Sequence, residues 1–259
     1  MRDRVIAVTG GGSGIGRALV LLVAREGGRV AVLDRDADAA SAAAGKAREA
    51  GAAAAVGLGC DVTDEAQVNA AFDRLEGELG PVDGLFTAAG VDLGGFAHEL
   101  PLEVWQRVLN TNLTGTFLAT RAAIRAMLRA QRRGSVVCCS SPAAFAGFAA
   151  GAASAYSASK GGVSALVRSL AVDYARYGIR FNAVVPGSTE TPLMWANVAE
   201  AERPAVRDTI CAEVPLGRLA DPEEPARAAL WLLSDAASYV TGSHLICDGG
   251  VLAKASVSV

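Results

Sequence analysis

Large rings are scarce in this chain: 7 Phe, 3 Trp and 4 Tyr make up 5% of 259 residues. Much of the apolar fraction is alanine instead, as over 52–55 and 149–153. A core of such residues has to come from helices and strands that approach one another closely. Histidine occurs twice, at His98 and His244, with no partner at metal or triad spacing. Cys60, Cys211 and Cys247 stand alone, Cys138 and Cys139 are adjacent, and no C-x-x-C occurs, so no metal-ligand pattern exists. An odd count of thiols with no secretory signal points to a reducing cytoplasm. The chain runs from Met1-Arg-Asp-Arg4 straight into a strand-like segment, which leaves no room for a signal peptide. No stretch of eighteen apolar residues suggests a membrane span. A net charge of −3 removes any general electrostatic reason to expect nucleic acid or an acidic membrane as partner. What remains, 51% hydrophobic and 20% charged, is the composition of a soluble globular protein.

Short apolar runs alternate with helical patterns along the whole length. Strands are expected at Val5–Val8, Arg29–Leu33, Val56–Cys60, Val82–Phe86, Ser135–Cys139, Ile179–Val185 and His244–Cys247. Helices are expected over 15–26, 36–50, a segment capped by Thr63 or Asp64, 102–130, 155–177 and 223–234, with an irregular helical segment over 192–213. Unbroken strand–helix alternation predicts an α/β fold: a doubly wound parallel sheet of about seven strands, helices on both faces, right-handed crossovers. No repeat, linker or low-complexity tract marks a boundary, so residues 1–259 read as one domain.

Two constellations carry chemistry. In Gly10-x-x-x-Gly14-x-Gly16 the glycines let a turn close and let backbone N–H groups and a helix N-terminus meet a diphosphate. Alone, such a run is as often a plain turn. Here it follows an expected strand, opens a helix, and is succeeded by Asp34 at the end of the next strand. There a carboxylate can accept from a ribose 2′-hydroxyl and repel a 2′-phosphate, favouring NAD over NADP, while Arg35 blunts that preference. A turn or helix-capping role for Asp34 stays open. The second constellation is Tyr156 and Lys160, four apart at the start of an expected helix and therefore on one face. A phenol beside a fixed ammonium is an acid/base group tuned toward neutral pH.

Thr9 to Gly16, Asp61-Val62, Ala88-Ala-Gly90, Asn112, Ser141, Tyr156 with Lys160, and Pro186-Gly187 stand in the order seen in the single-domain short-chain dehydrogenases/reductases. Pro215-Leu-Gly-Arg218, Ser234-Asp235, Tyr239-Val-Thr-Gly242 and Asp248-Gly-Gly250 resemble that family too, so the likeness covers nearly the whole chain. It implies a Rossmann fold and hydride transfer between nicotinamide and a secondary alcohol or ketone, in a homotetramer. In that frame Tyr156 is the acid/base and Ser141 holds the substrate oxygen. Lys160 holds the nicotinamide ribose and lowers the Tyr156 pKa, against the opposing effect of burial, and Asn112 anchors a water that links Lys160 to solvent. Cofactor contacts would come from Gly10, Ser13, Gly14, Ile15, Gly16, Asp34, Arg35, Asp61, Val62, Ala89, Gly90, Tyr156, Lys160, Pro186, Gly187, Thr189 and Thr191. The chain departs from the family at Thr87-Ala-Ala-Gly90, where Asn-Ala-Gly is usual, and in a longer Ser141–Tyr156 gap that is expected to enlarge the substrate loop; a shift of register there would make Ser140 the working serine.

Residues 188–213 are expected to form a lid. Met194 and Trp195, with Pro142, Phe145 and Phe148 from the serine loop, are candidates for an apolar substrate wall, or equally for lid and core packing. A medium-sized secondary alcohol, partly apolar or cyclic, is the substrate class; a sugar or polyol dehydrogenase, an NADP-dependent ketoreductase, and a redox sensor that binds NAD without turnover are the alternatives. His98 and His244 read as structural. Arginines at 121, 125, 129, 132 and 133 suit a helix C-terminus and solubility more than nucleic acid.

Overall fold

The computed structural model describes residues 1–148 and 151–254. Seven parallel strands form one sheet: β1 Val5–Thr9, β2 Arg29–Asp34, β3 Ala54–Gly59, β4 Gly84–Thr87, β5 Gly134–Cys139, β6 Ile179–Pro186 and β7 His244–Cys247. Their spatial order is β3-β2-β1-β4-β5-β6-β7. The reversal between β1 and β4 opens a crevice at the carboxyl ends of the strands, the place where ligands bind in doubly wound sheets.

Both faces of the sheet are covered, which explains why the strands read as continuous apolar runs. Successive side chains of β1 alternate sides: Val5 and Ala7 join one core, Ile6 and Val8 the other. The first core is closed by α3 Glu65–Leu79, α5 Gly115–Arg129 and α6 Ser154–Tyr174, which supply Phe72, Leu75, Met127 and Val167 among others. The second is closed by α1 Gly14–Arg25, α2 Ala37–Glu49 and α8 Glu223–Leu233. Here α2 contributes only Ala40, Ala43, Ala44 and Ala47, so alanine does provide the close approach that the scarcity of rings demanded.

Most expected boundaries hold to within one or two residues. The long helix over 102–130 is interrupted, however. It runs as α4 Leu102–Leu109, one π-helical turn over Asn110–Thr114, and then α5. Between 192 and 213 lie turns, a short 3-10 segment and α7 Arg203–Glu213. Asp64, not Thr63, caps α3, accepting from the backbone N–H groups of Ala66 and Gln67 at 2.8 and 3.1 Å. The arginine-studded end of α5 is largely ion-paired: Arg121 with Glu65 at 2.6 Å, Arg129 with Glu76 at 2.5 Å, Arg132 with Asp83 at 2.7 Å. No helix among the described residues is long and apolar enough to cross a membrane.

Candidate active site

The crevice is a cleft of about 1220 Å³ that runs from Asp34 and the glycine turn to Tyr156 and the segment after β6. At one end, the turn between β1 and α1 has no space for side chains. A Cβ on Gly16 would lie 2.2 Å from the Gly10 carbonyl oxygen, and one on Gly10 would lie 2.6 Å from the Ala89 nitrogen. The chain therefore folds tightly back and presents the N-terminus of α1 to the cleft. That end carries no side-chain cap and no acidic residue in its first turn, in contrast to α2 and α3, which Asp36 and Asp64 cap. First-turn N–H groups left unclaimed beside a cleft suit a diphosphate, so the residues fit the nicotinamide dinucleotide that the sequence implied.

Asp34 is not the cap of α2, since Asp36 fills that role. Its carboxylate accepts instead from Gly12 N–H at 3.0 Å and Asp36 N–H at 3.1 Å. The acid is thus fixed against the glycine turn, at the place an adenosine ribose would take. Every other residue named from sequence as a cofactor contact also lines the cleft.

At the far end, α6 displays Tyr156 and Lys160 one turn apart on the same face. The ammonium lies 5.6 Å from the centre of the phenol ring and donates to the Cys139 carbonyl at 2.8 Å. Ser141 follows β5. Its hydroxyl accepts from Ala143 N–H at 3.2 Å, and the tyrosine lies within its reach. Both serines line the cleft, but the Ser140 hydroxyl is bonded to the Lys160 carbonyl and the Ser164 hydroxyl, which leaves Ser141 as the one whose hydroxyl has its proton free. The additional residues of the Ser141–Tyr156 gap precede α6, as expected; 149 and 150 lie outside the described residues.

Burial outweighs every other influence on Tyr156 and holds its phenol above the ordinary value. Lys160 is the strongest pull in the opposite direction, joined by Ser141, while charges on Cys139 and Asp92 push upward. The expected lowering by Lys160 is present, but the net shift is reversed. Desolvating a phenolate disfavours it more than one nearby ammonium favours it.

Asn112 does not line the cleft. It is fully buried in the π turn, and its amide clamps the segment after Gly90. Oδ1 accepts from Val91 N–H at 2.8 Å, and Nδ2 donates to the Val91 carbonyl at 2.9 Å and the Ser159 hydroxyl at 3.1 Å. A Cβ on Gly90 would lie 3.2 Å from Asn112 Oδ1 and 3.9 Å from Lys160 Nζ, so both groups flank that glycine. The side chain is thereby committed to the backbone, and a water relay would have to use other atoms. Thr87, which opens the Thr87-Ala-Ala-Gly90 run, leaves its buried hydroxyl without a conventional partner, facing the Cys138 thiol across the β4–β5 pair.

Of the substrate-wall candidates, Pro142, Phe148 and Met194 line the cleft. Trp195 does not. It is 9% exposed, donates its indole N–H to Glu190 at 2.6 Å and carries Arg207 over its ring, so it packs the lid, the alternative left open from sequence. Phe145 instead meets His244 edge-on at 5.5 Å. Sequence reasoning missed Cys139 and Asp92 on the wall. The first was legible as the residue before Ser140-Ser141, whereas nothing in the composition around Asp92 marked it.

A family model described as enoyl-(acyl carrier protein) reductase matches residues 10–252. The chain belongs to the short-chain dehydrogenase/reductase family. It is 44% identical to cis-4-hydroxycyclohexanecarboxylate dehydrogenase of Sinomonas cyclohexanicum, over 97% of both chains. It is 39% identical to 2-(S)-hydroxypropyl-CoM dehydrogenase 3 of Xanthobacter autotrophicus and 38% identical to a 2,5-dichloro-2,5-cyclohexadiene-1,4-diol dehydrogenase of Sphingobium indicum, each over 98% of both. Among solved structures, levodione reductase superposes with a TM-score of 0.92 at 33% identity, covering 98% of this chain and all of that one. Like these relatives, this short-chain dehydrogenase/reductase is an oxidoreductase acting on hydroxyl groups.

Proposed function

We propose that the protein is an NAD-dependent dehydrogenase of secondary alcohols, working as CHOH + NAD⁺ → C=O + NADH + H⁺, with Tyr156 as acid/base. The observation that carries this reading is the shared cleft: a fixed carboxylate and an uncapped helix end on one side, and Tyr156, Lys160 and Ser141 converging on the other. A nicotinamide held there would supply the acceptor for the carbon-bound hydrogen and its electron pair. Ser141 donates to the substrate oxygen and fixes its position. Tyr156 accepts the hydroxyl proton during oxidation and returns it during reduction. Lys160 makes the phenolate form accessible and, together with Asp34, orients the cofactor. Asn112 positions Gly90 and Val91 beside Lys160.

Asp34 supports NAD, since a 2′-phosphate would meet its charge. Arg35, which also lines the cleft, supports the NADP-dependent alternative, and kcat/KM with each cofactor decides between them. Ring-shaped substrates, a hydroxycyclohexanecarboxylate and a cyclohexadiene diol, are named for two relatives, and the apolar wall of Pro142, Phe148 and Met194 suits a ring here. The whole chain acts as one dinucleotide-binding domain with a lid near 188–213, a reading supported by all seven strands joining one sheet. Exposed Val172, Tyr239 and Ile246 support assembly into a homotetramer, measurable by light scattering. The five free thiols suit the cytoplasm.

The test of the mechanism is Tyr156→Phe. NADH formation at 340 nm from a secondary alcohol should vanish, while NADH still binds, as read by its fluorescence. Retained turnover would end the assignment.

A further inference from the structure

The substrate end of the cleft holds an acid that the chemistry above does not use. Asp92 sits two residues beyond Gly90 on the segment that leaves β4, and it lines the cleft. That segment is fastened on two sides. Gly95 N–H donates to the Ala152 carbonyl at 2.8 Å, just ahead of α6, and the Asn197 amide, from the lid, donates to the Asp92 carbonyl at 2.7 Å. The Asp92 carboxylate itself has no hydrogen-bond or ion-pair partner among the described residues; only its backbone oxygen is used. Of the basic side chains lining the cleft, Lys160 alone acts on it, and the Asp92 charge in turn acts on Tyr156. An unpaired acceptor therefore faces the space in which the alcohol would lie, within electrostatic reach of the phenol.

We propose that Asp92 selects the substrate: a neutral alcohol with a second hydroxyl, which donates to the Asp92 carboxylate while the reacting hydroxyl lies against Ser141 and Tyr156. This rests on the reading of Tyr156 and Ser141 above. Carboxylate-bearing alcohols are rejected by the same group. A donor matched to a charged acceptor gains about tenfold or more over an analogue without it. A second carboxylate about 6 Å away, at an effective dielectric near 20, loses about a hundredfold. The Lys160 ammonium, which donates to the Cys139 carbonyl, and the solvent around the exposed Asp92 offset part of this loss.

The experiment compares kcat/KM with NAD for cyclohexane-1,4-diol, cyclohexanol and 4-hydroxycyclohexanecarboxylate. In the unaltered protein the diol should exceed cyclohexanol about tenfold, and the acid should fall well below both. In Asp92→Asn the diol-to-cyclohexanol ratio should drop about tenfold, and the acid-to-cyclohexanol ratio should rise at least as much. Ratios taken within one preparation do not depend on how much of it is folded. If both ratios stay within about threefold of the unaltered protein, or if the unaltered protein takes the acid as readily as the diol, the role of Asp92 is overturned. The reading of Tyr156 would still stand, provided Tyr156→Phe abolishes cyclohexanol turnover. If none of the three alcohols yields NADH, both fall.

Discussion

Replacing Lys160 with methionine removes the cation but keeps most of the apolar stem, and its effect can be worked from the geometry. The ammonium lies 5.6 Å from the centre of the Tyr156 ring. At an effective dielectric near 20 that separation corresponds to about 3 kcal/mol, or roughly a hundredfold in the phenolate fraction. Burial already holds the phenol above its ordinary value with Lys160 opposing it, so removal of Lys160 drives it higher still. Oxidation needs the phenolate, and its rate climbs with pH until the phenol has ionised. The rising limb should therefore move to higher pH, and the rate at any pH below it should fall about a hundredfold. Ketone reduction uses the protonated phenol and should not show this loss on the acid side. The assay is NADH formation from cyclohexanol at saturating NAD between pH 6 and 10, for both proteins. NADH affinity is measured separately, because the variant also loses the bond to the Cys139 carbonyl. A rising limb at an unchanged pH would refute the coupling of Lys160 to Tyr156.

Three further outcomes are expected. Gly16→Ala places a Cβ 2.2 Å from the Gly10 carbonyl oxygen, so NADH binding should weaken more than about tenfold by fluorescence titration while the circular dichroism stays helical. Asp83→Ala strips the buried acceptor of Val5 N–H at 2.9 Å and of Arg132 at 2.7 Å, which should cost about 1–3 kcal/mol in denaturant titration; an unchanged midpoint would discount that anchor. Burial pushes the Cys60 and Cys138 thiols up to about 11, so a thiol reagent at pH 8 should leave both unlabelled in the native protein, by peptide mapping, and label them in urea.

Strand positions, helix faces and the cleft were legible in the sequence because each rests on a periodic or local signal. The alternation of Val5 to Val8 needed only apolar residues on both faces of a covered sheet. The glycine turn followed from the absence of side chains where backbone meets backbone. Tyr156 and Lys160 needed only the pitch of a helix. Features that depend on long-range packing were not legible. Trp195 read equally as a wall residue or as packing, and only its contacts with Glu190 and Arg207 decide for packing within residues 188–213. Local spacing implied a lowered Tyr156, and the burial that reverses the shift depends on the whole surrounding fold. Asp92 matters because Ala152 and Asn197, far away in sequence, hold its loop over the cleft. Asn112 stood out in the sequence as a water anchor, whereas the bonds of its side chain to Val91 and Ser159 depend on packing between distant segments.

The single wide turn over Asn110–Thr114 sets two helical faces independently of each other. Each helical residue advances the direction of the side chains by about 100°, and the extra residue in that turn shifts everything after it by one such step. Val108 points inward before the turn, and Leu118, Ala122 and Met127 do so after it. Forcing regular α-helical geometry on the same residues would swing the apolar stripe of α5 by about 100° away from the sheet. The same change would pull Asn112 off the Val91 backbone. A locally better helix would thus undo both a layer of the core and the support beneath Gly90.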